Sequence, residues 1–186
     1  MFNLAGLRRI KAPCAQASVT SPVGRLTLVF SDAGLHALMF EREREGCESG
    51  LRHLADRPCH PVFALACRQL DEYFSGARTT FEVPLALEGT PFQLAAWQRL
   101  REIPYGAVVS YGEQARSLGG VQLARAVGSA NSRNPVSIIV PCHRVIGRDG
   151  LLTGFGGGLD AKAQLLALER RVVNPSLPES PPVPIA

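Results

Sequence analysis

Residues 110–131 read SYGEQARSLGGVQLARAVGSAN, and they contain two helix starts separated by a stop. Ser110 and Glu113 form a Ser-x-x-Glu capping box, in which each side chain satisfies a backbone N–H that the first helical turn leaves free. The spacing predicts a helix from Tyr111 to about Leu118, closed by Gly119 and Gly120. A second helix is predicted from Leu123 to about Asn131. Two short helices around a glycine turn have the pattern of a helix-turn-helix. In the second helix Ala124, Ala126, Gly128, Ser129 and Ala130 are small, and Arg125 is the single long side chain. Such a surface suits either tight helix packing or a slim helix that carries an arginine into a nucleic-acid groove.

Upstream, Gly89 marks a boundary. Thr90, Pro91 and Gln93 give another capping box with proline at the first helical position, and Phe92, Ala96, Leu100 and Ile103 supply an apolar face that ends at Pro104 and Gly106. Before the boundary, Arg25–Phe30 and Leu35–Phe40 read as two strands of a hairpin, joined through the turn-forming residues Ser31, Asp32, Ala33 and Gly34. Phe63, Ala66, Cys67, Leu70 and Phe74 recur at helical spacing, Gly76 stops that helix, and Phe81–Leu87 is a further candidate strand. The expected fold is a small α+β unit followed by a mainly helical one. The division is 1–88, 89–173 and a tail at 174–186, which holds five prolines and no candidate core segment and reads as disordered.

With 186 residues, 46% of them apolar and 19% charged, the composition is globular. Apolar runs fall far short of the roughly 20 residues of a membrane span. MFNLAGLRRIK has no apolar core behind a basic head, so a cytoplasmic location is expected. Five scattered cysteines without a CxxC pair predict reduced thiols. Residues 1–88 carry ten basic and ten acidic side chains and residues 89–186 ten and six, so the surplus of +4 lies wholly in the second half. Seven arginines between Arg99 and Arg148 face only Glu102 and Glu113, a balance that favours phosphate contact.

Downstream, Ser137–Val140 is an apolar, β-branched segment read as a strand, and Pro141, Cys142, His143 and Arg144 follow. A thiol has a reference pKa of about 8.5, and an adjacent base raises the thiolate fraction that attacks electrophiles. Cys142 is therefore the candidate nucleophile. Adjacent side chains on an extended chain point apart, so His143 reaches Cys142 only if the chain turns or a water bridges them. Glu169, in a helix predicted from about Asp160 to Arg170, is the carboxylate able to orient the imidazole. His36, Cys47, His53, Cys59, His60 and Cys67 fit no structural zinc spacing, so neither a metal nor another cofactor is expected.

Ile139-Val140-Pro141-Cys142-His143-Arg144-Val145 resembles the active-site signature of the O6-alkylguanine-DNA alkyltransferases. The likeness extends through Ser21-Pro22-x-Gly24-x-Leu26, Tyr73-Phe74-x-Gly76, Trp97, Ile103-Pro104-x-Gly106, Ser110-Tyr111, Arg125-Ala126-Val127-Gly128, Asn134-Pro135, Gly157-Gly158-Leu159, Lys162 and Glu169. The resemblance implies a ribonuclease-H-like N-terminal domain and a C-terminal domain with a winged-helix-like helix-turn-helix. It implies a monomer, able to cluster on DNA, that enters duplex DNA through the minor groove and flips O6-alkylguanine out of the stack. The alkyl group would pass to Cys142 as a stable thioether, which consumes the protein.

By the same resemblance Arg125 fills the space of the flipped base, flanked by Ala124, Ala126 and Gly128, and Tyr111 donates towards the guanine ring. His143 and Glu169 form the relay that activates the thiol. Asn134 ties the helix-turn-helix to the active-site segment, Val145, Phe155 and Gly156 line the pocket, and Lys162 supports it. Phe155 departs from the tyrosine of many relatives, and Ser31 stands where zinc-binding members have a cysteine. Two other readings stay open: an alkyltransferase-like protein that binds damage without reacting, and a helix-turn-helix regulator fused to a sensor domain.

Overall fold

The computed structural model describes residues 14–45 and 47–176. The opening segment 1–13 and the tail from Leu177 on lie outside the described residues.

The predicted hairpin forms. β1 (Ala15–Ser21), β2 (Gly24–Ser31) and β3 (Gly34–Phe40) are antiparallel, and β4 (Ala55–Asp56) runs parallel to β1, which gives the order β3-β2-β1-β4. The register pairs Ala15 with Phe30 and Leu26 with Phe40, with an irregularity at Val29/Phe30. Side chains alternate across a strand, so Leu26, Leu28 and Phe30 join one core with Phe63, Leu70 and Tyr73. Val29, Ala37 and Met39 face the other way, onto Cys47 and Leu51. These two cores explain why every residue of β3 is buried.

α1 (Glu41–Glu45) and α2 (Glu48–Leu51) follow the sheet, and α3 (Pro61–Phe74) packs on it. His60 caps α3 by accepting from the Val62 amide at 3.2 Å. The candidate strand Phe81–Leu87 is instead an extended segment with a single parallel bridge, Leu85 to Leu35. Leu35 N donates to Pro84 O and Ala86 N to Leu35 O, and Pro84, lacking an N–H, stops the ladder there.

α4 (Pro91–Arg101) and α5 (Tyr111–Arg116) both start at the expected capping boxes, and α6 (Ala124–Asn131) follows one 3-10 turn at Val121–Leu123. Gln114 and Asn131 exchange side-chain amide bonds of 2.7 and 3.3 Å between α5 and α6. Trp97 Nε1 donates to Ala130 O at 2.9 Å, fixing α6 against α4. β5 (Val109–Ser110) pairs in parallel with β6 (Val145–Ile146), and α7 (Leu159–Val173) closes the chain. The β5–β6 pairing brings Tyr111, the first residue of α5, beside the Cys142–Arg144 segment.

The segment Ser137–Val140 is a tight turn, not the expected strand. Leu38 N donates to Pro135 O, Val140 N reaches back to Val136 O at 2.9 Å, and Ile138 is driven to φ +74°. That region is costly for a β-branched residue, on the order of 1–3 kcal/mol. Asn134 holds the turn: its Nδ2 donates to Val140 O at 2.7 Å and its Oδ1 accepts from Val136 N at 3.1 Å.

Candidate active site

The turn delivers Cys142 into a 3-10 helix, Cys142–Arg144, that is buried throughout. Cys142 Sγ lies 3.9 Å from Ser137 Oγ and has no direct bond to His143. Successive side chains of a 3-10 turn diverge by about 120°, so the thiol and the imidazole do not meet directly. Burial pushes the Cys142 thiol up, while Asn134, Ser137 and the Lys162 ammonium pull it down and Glu43 adds a small upward push. The sulfur is a neutral thiol at rest.

His143 Nε2 lies 2.9 Å from Glu169 Oε1. Burial favours protonation of the Glu169 carboxyl, but hydrogen bonds from His143 and Arg144, with their charges, prevail and hold its pKa at about 2. An ionised carboxylate only accepts, so Nε2 carries the proton and Nδ1 presents a lone pair. Nδ1 is buried and has no partner among the described residues. Burial also lowers the pKa of His143, against the pull of Glu169, so the imidazole is a neutral base with its acceptor nitrogen free.

Glu169 is the hub. Arg144 Nε and Nη2 grip it at 2.9 to 3.2 Å, the Gly106 amide donates to Oε2 at 2.9 Å, and Tyr73 OH donates to Oε1 at 2.8 Å. Arg144 Nη1 in turn reaches Ile103 O at 2.7 Å. Sequence reasoning assigned no role to Tyr73 or Arg144. Both sit in stretches that carry the resemblance, Arg144 in the Cys142 signature and Tyr73 in Tyr73-Phe74-x-Gly76, but nothing local marks either as a partner of Glu169.

On the opposite side, Tyr111 OH accepts from Thr153 Oγ1 at 3.3 Å, and burial raises its pKa against that bond, so it remains a donor. Lys162 is fully buried, its Nζ donating to Val145 O at 2.6 Å and Thr153 O at 2.8 Å; burial lowers its pKa to about 8. The Phe155 ring meets Phe40 of β3 edge-on at 5.3 Å and His143 at 6.3 Å. A Cβ on Gly157 would meet the Phe40 ring at 2.7 Å, and one on Gly156 would displace the Glu43 carboxylate, so the sheet unit and the glycine loop are in close contact here. Glu43 was missed because it lies in ERERE (41–45), which reads as a solvated charge run.

On α6, Arg125 and Ala126 are exposed and Ala124 and Gly128 half-buried. A methyl group on Gly128 would sit 3.8 Å from the Tyr111 ring, so this face of α6 lies against Tyr111. In the sheet unit, Ser31 Oγ bonds His36 Nε2 at 2.8 Å and His60 pairs with Asp32. No group of three metal-ligating side chains occurs among the described residues, and a serine engaging His36 does not fit a zinc site. No helix among them is long and apolar enough to cross a membrane.

Residues 16–87 match the ribonuclease-like domain of 6-O-methylguanine DNA methyltransferase, and residues 91–171 match its DNA-binding domain. The chain is 49% identical over 155 residues to the methylated-DNA–protein-cysteine methyltransferase of Mycolicibacterium paratuberculosis, covering 83% of this chain and 91% of that one. It is 46% identical over 149 residues to the protein of that name from Methanosarcina acetivorans, covering 80% and 94%. The crystal structure of Mycobacterium tuberculosis O6-methylguanine methyltransferase superposes with a TM-score of 0.77 at 43% identity, covering 90% of this chain and 95% of that one. M. tuberculosis OGT in complex with DNA gives 0.77 at 44% identity, covering 85% and 94%. Matched through both halves, the chain belongs to the methylated-DNA–protein-cysteine methyltransferase family.

Proposed function

We infer that this protein repairs O6-alkylguanine in DNA by moving the alkyl group irreversibly to Cys142, one lesion per molecule. The observation that carries the reading is a buried thiol beside an imidazole whose outer nitrogen is protonated towards an ionised carboxylate and whose inner nitrogen is free. The thiol proton passes through one water to His143 Nδ1, and Glu169 stabilises the imidazolium. The thiolate attacks the O6-linked carbon, the C–O bond breaks with its electrons on guanine, and Tyr111 donates towards the ring that gains charge. Lys162 fixes the Val145 and Thr153 carbonyls, leaving the pocket walls at Val145, Phe155 and Gly156 in place. The product is a thioether that water does not cleave.

DNA enters by its minor groove along the small face Ala124, Ala126 and Gly128, with Arg125 in the space of the flipped base. The protein works as a cytoplasmic monomer that can cluster on DNA, and its working units are 1–88 and 89–173. Titration with an O6-methylguanine duplex tests the reading: each molecule gains the mass of one methyl group, on Cys142. Binding without a mass gain favours a damage-marking protein, and no preference for the lesion favours a regulator.

Arg125→Ala is expected to weaken capture on matched duplex more than on single strands, because only the duplex must be unstacked, at a few kcal/mol. Equal losses in a binding titration on both substrates reduce Arg125 to a phosphate contact. Phe155→Tyr should change the single-turnover rate by less than about tenfold, since one hydrogen bond is worth about 0.5–1.5 kcal/mol. Phe155→Ala should do more harm, because it removes the ring wedged between Phe40 and His143. A gain of several hundredfold on adding the hydroxyl would point to a different lesion.

A further inference from the structure

Tyr73 belongs to α3 of the ribonuclease-like unit, 96 residues from Glu169 in sequence, yet both side chains are wholly buried and joined by a 2.8 Å hydrogen bond. The oxygen it donates to, Oε1, is the one that receives His143 Nε2. The Tyr73 ring also packs edge-on against Phe74 and Tyr105 and at a tilt against Phe81, so it would stay in place without the hydroxyl. We propose that Tyr73 is a positioning residue of the relay, through which the ribonuclease-like unit sets the basicity of His143 and so the reactivity of Cys142. The proposal rests on the His143–Glu169 relay described above.

A hydrogen bond to a carboxylate draws negative charge from the oxygen that accepts it. The phenol and the imidazole compete for Oε1, and the competition matters most once His143 has taken the thiol proton. Without the phenol, Oε1 holds the imidazolium more firmly, and the thiolate–imidazolium pair forms at lower pH. Tyr73 stays protonated, because burial and then the Glu169 charge drive its own ionisation up. Arg144 from the catalytic turn and Lys162 from α7 face the pair, as do Glu43 from α1 and Tyr111 from α5, while Tyr105 ahead of β5 faces Glu169 and Arg144. None of these is altered by removing one oxygen atom from Tyr73. Arg144 and Gly106 continue to bond Glu169 without it.

The test is the pH dependence of single-turnover transfer from an O6-methylguanine duplex, followed by protein mass, for the full chain and for Tyr73→Phe and Glu169→Gln. The two substitutions should move the apparent pKa of Cys142 in opposite directions. Tyr73→Phe should lower it by about 0.5–1 unit, the equivalent of one hydrogen bond, and Glu169→Gln should raise it. A merely structural role for the phenol predicts a rate reduced equally at every pH, and that result, or an upward shift, overturns the proposal. If Glu169→Gln leaves both rate and profile unchanged, the relay itself is wrong; if only Tyr73→Phe is silent, the relay stands and the role of Tyr73 falls. A thermal melt of Tyr73→Phe verifies that both units remain folded during the measurement.

Discussion

Cys142→Ala is expected to yield no transferred methyl at any time or protein concentration, while binding to the lesion-containing duplex persists. Transfer creates a carbon–sulfur bond, and without the sulfur there is no acceptor at this position. Cys142 is the thiol on the 3-10 turn that also carries His143, whereas Cys67, with its pKa raised to about 11 by burial and by Asp71, lies on α3. In the proposed mode binding draws on the α6 face and the pocket walls, neither of which needs the thiol. A mass assay paired with a gel-shift titration reads both properties. Methyl transfer that survives the substitution would place the acceptor elsewhere and undo the assignment.

Glu169→Gln should combine a large loss of stability with slowed transfer. Among the described residues the carboxylate is the only anion bonded to Arg144 and His143, so an amide strands a buried guanidinium, at about 3–5 kcal/mol. For a chain of this size that is a fall in Tm of roughly 6–20 °C. The native protein carries a matching acid signature. Because the folded pKa of Glu169 is about 2 against an ordinary 4.5, the unfolded chain binds the proton first as pH falls. The stability is complete above about pH 4.5 and drains away between there and pH 2, at no more than about 1.4 kcal/mol per pH unit. His143, buried neutral with a lowered pKa, adds a loss that begins below its ordinary 6.5, by the same sign. Urea midpoints between pH 7 and pH 3 should slope downward in the native protein and less steeply below pH 4.5 in Glu169→Gln. Equal slopes would show that the carboxylate is not held ionised in the fold.

The sequence disclosed what local chemistry encodes. Both capping boxes, Thr90 with Gln93 and Ser110 with Glu113, are contacts three residues apart and form as read. The hairpin turn at Asp32–Gly34 and the helix stop near Gly76 are equally local. Ile138, Ile139 and Val140 misled because β-branched residues favour extended backbone, and the turn they occupy is imposed by Asn134, which donates to Val140 O and accepts from Val136 N. Phe81–Leu87 misled because its apolar alternation hid the one residue, Pro84, that cannot donate. Around the site, Cys142, His143 and Glu169 were legible as candidates from their own chemistry, and the resemblance gave them the same roles. Tyr73 was not, because a core tyrosine and one whose hydroxyl meets a carboxylate 96 residues away have the same local pattern. Glu43 was hidden by its charged neighbours.

The outer edge of β3 carries a consequence for self-association. A buried apolar strand with open N–H and C=O groups is a template on which another copy can add a strand. Here the edge is occupied at Leu35 by the segment around Leu85 and at Leu38 by Pro135 and Val136. The second of these covers lies immediately before the catalytic turn. The DNA-binding half therefore acts as a shield against aggregation for the sheet it packs on, and any event that loosens the chain at Val136 disturbs the active site and uncovers an adhesive edge together.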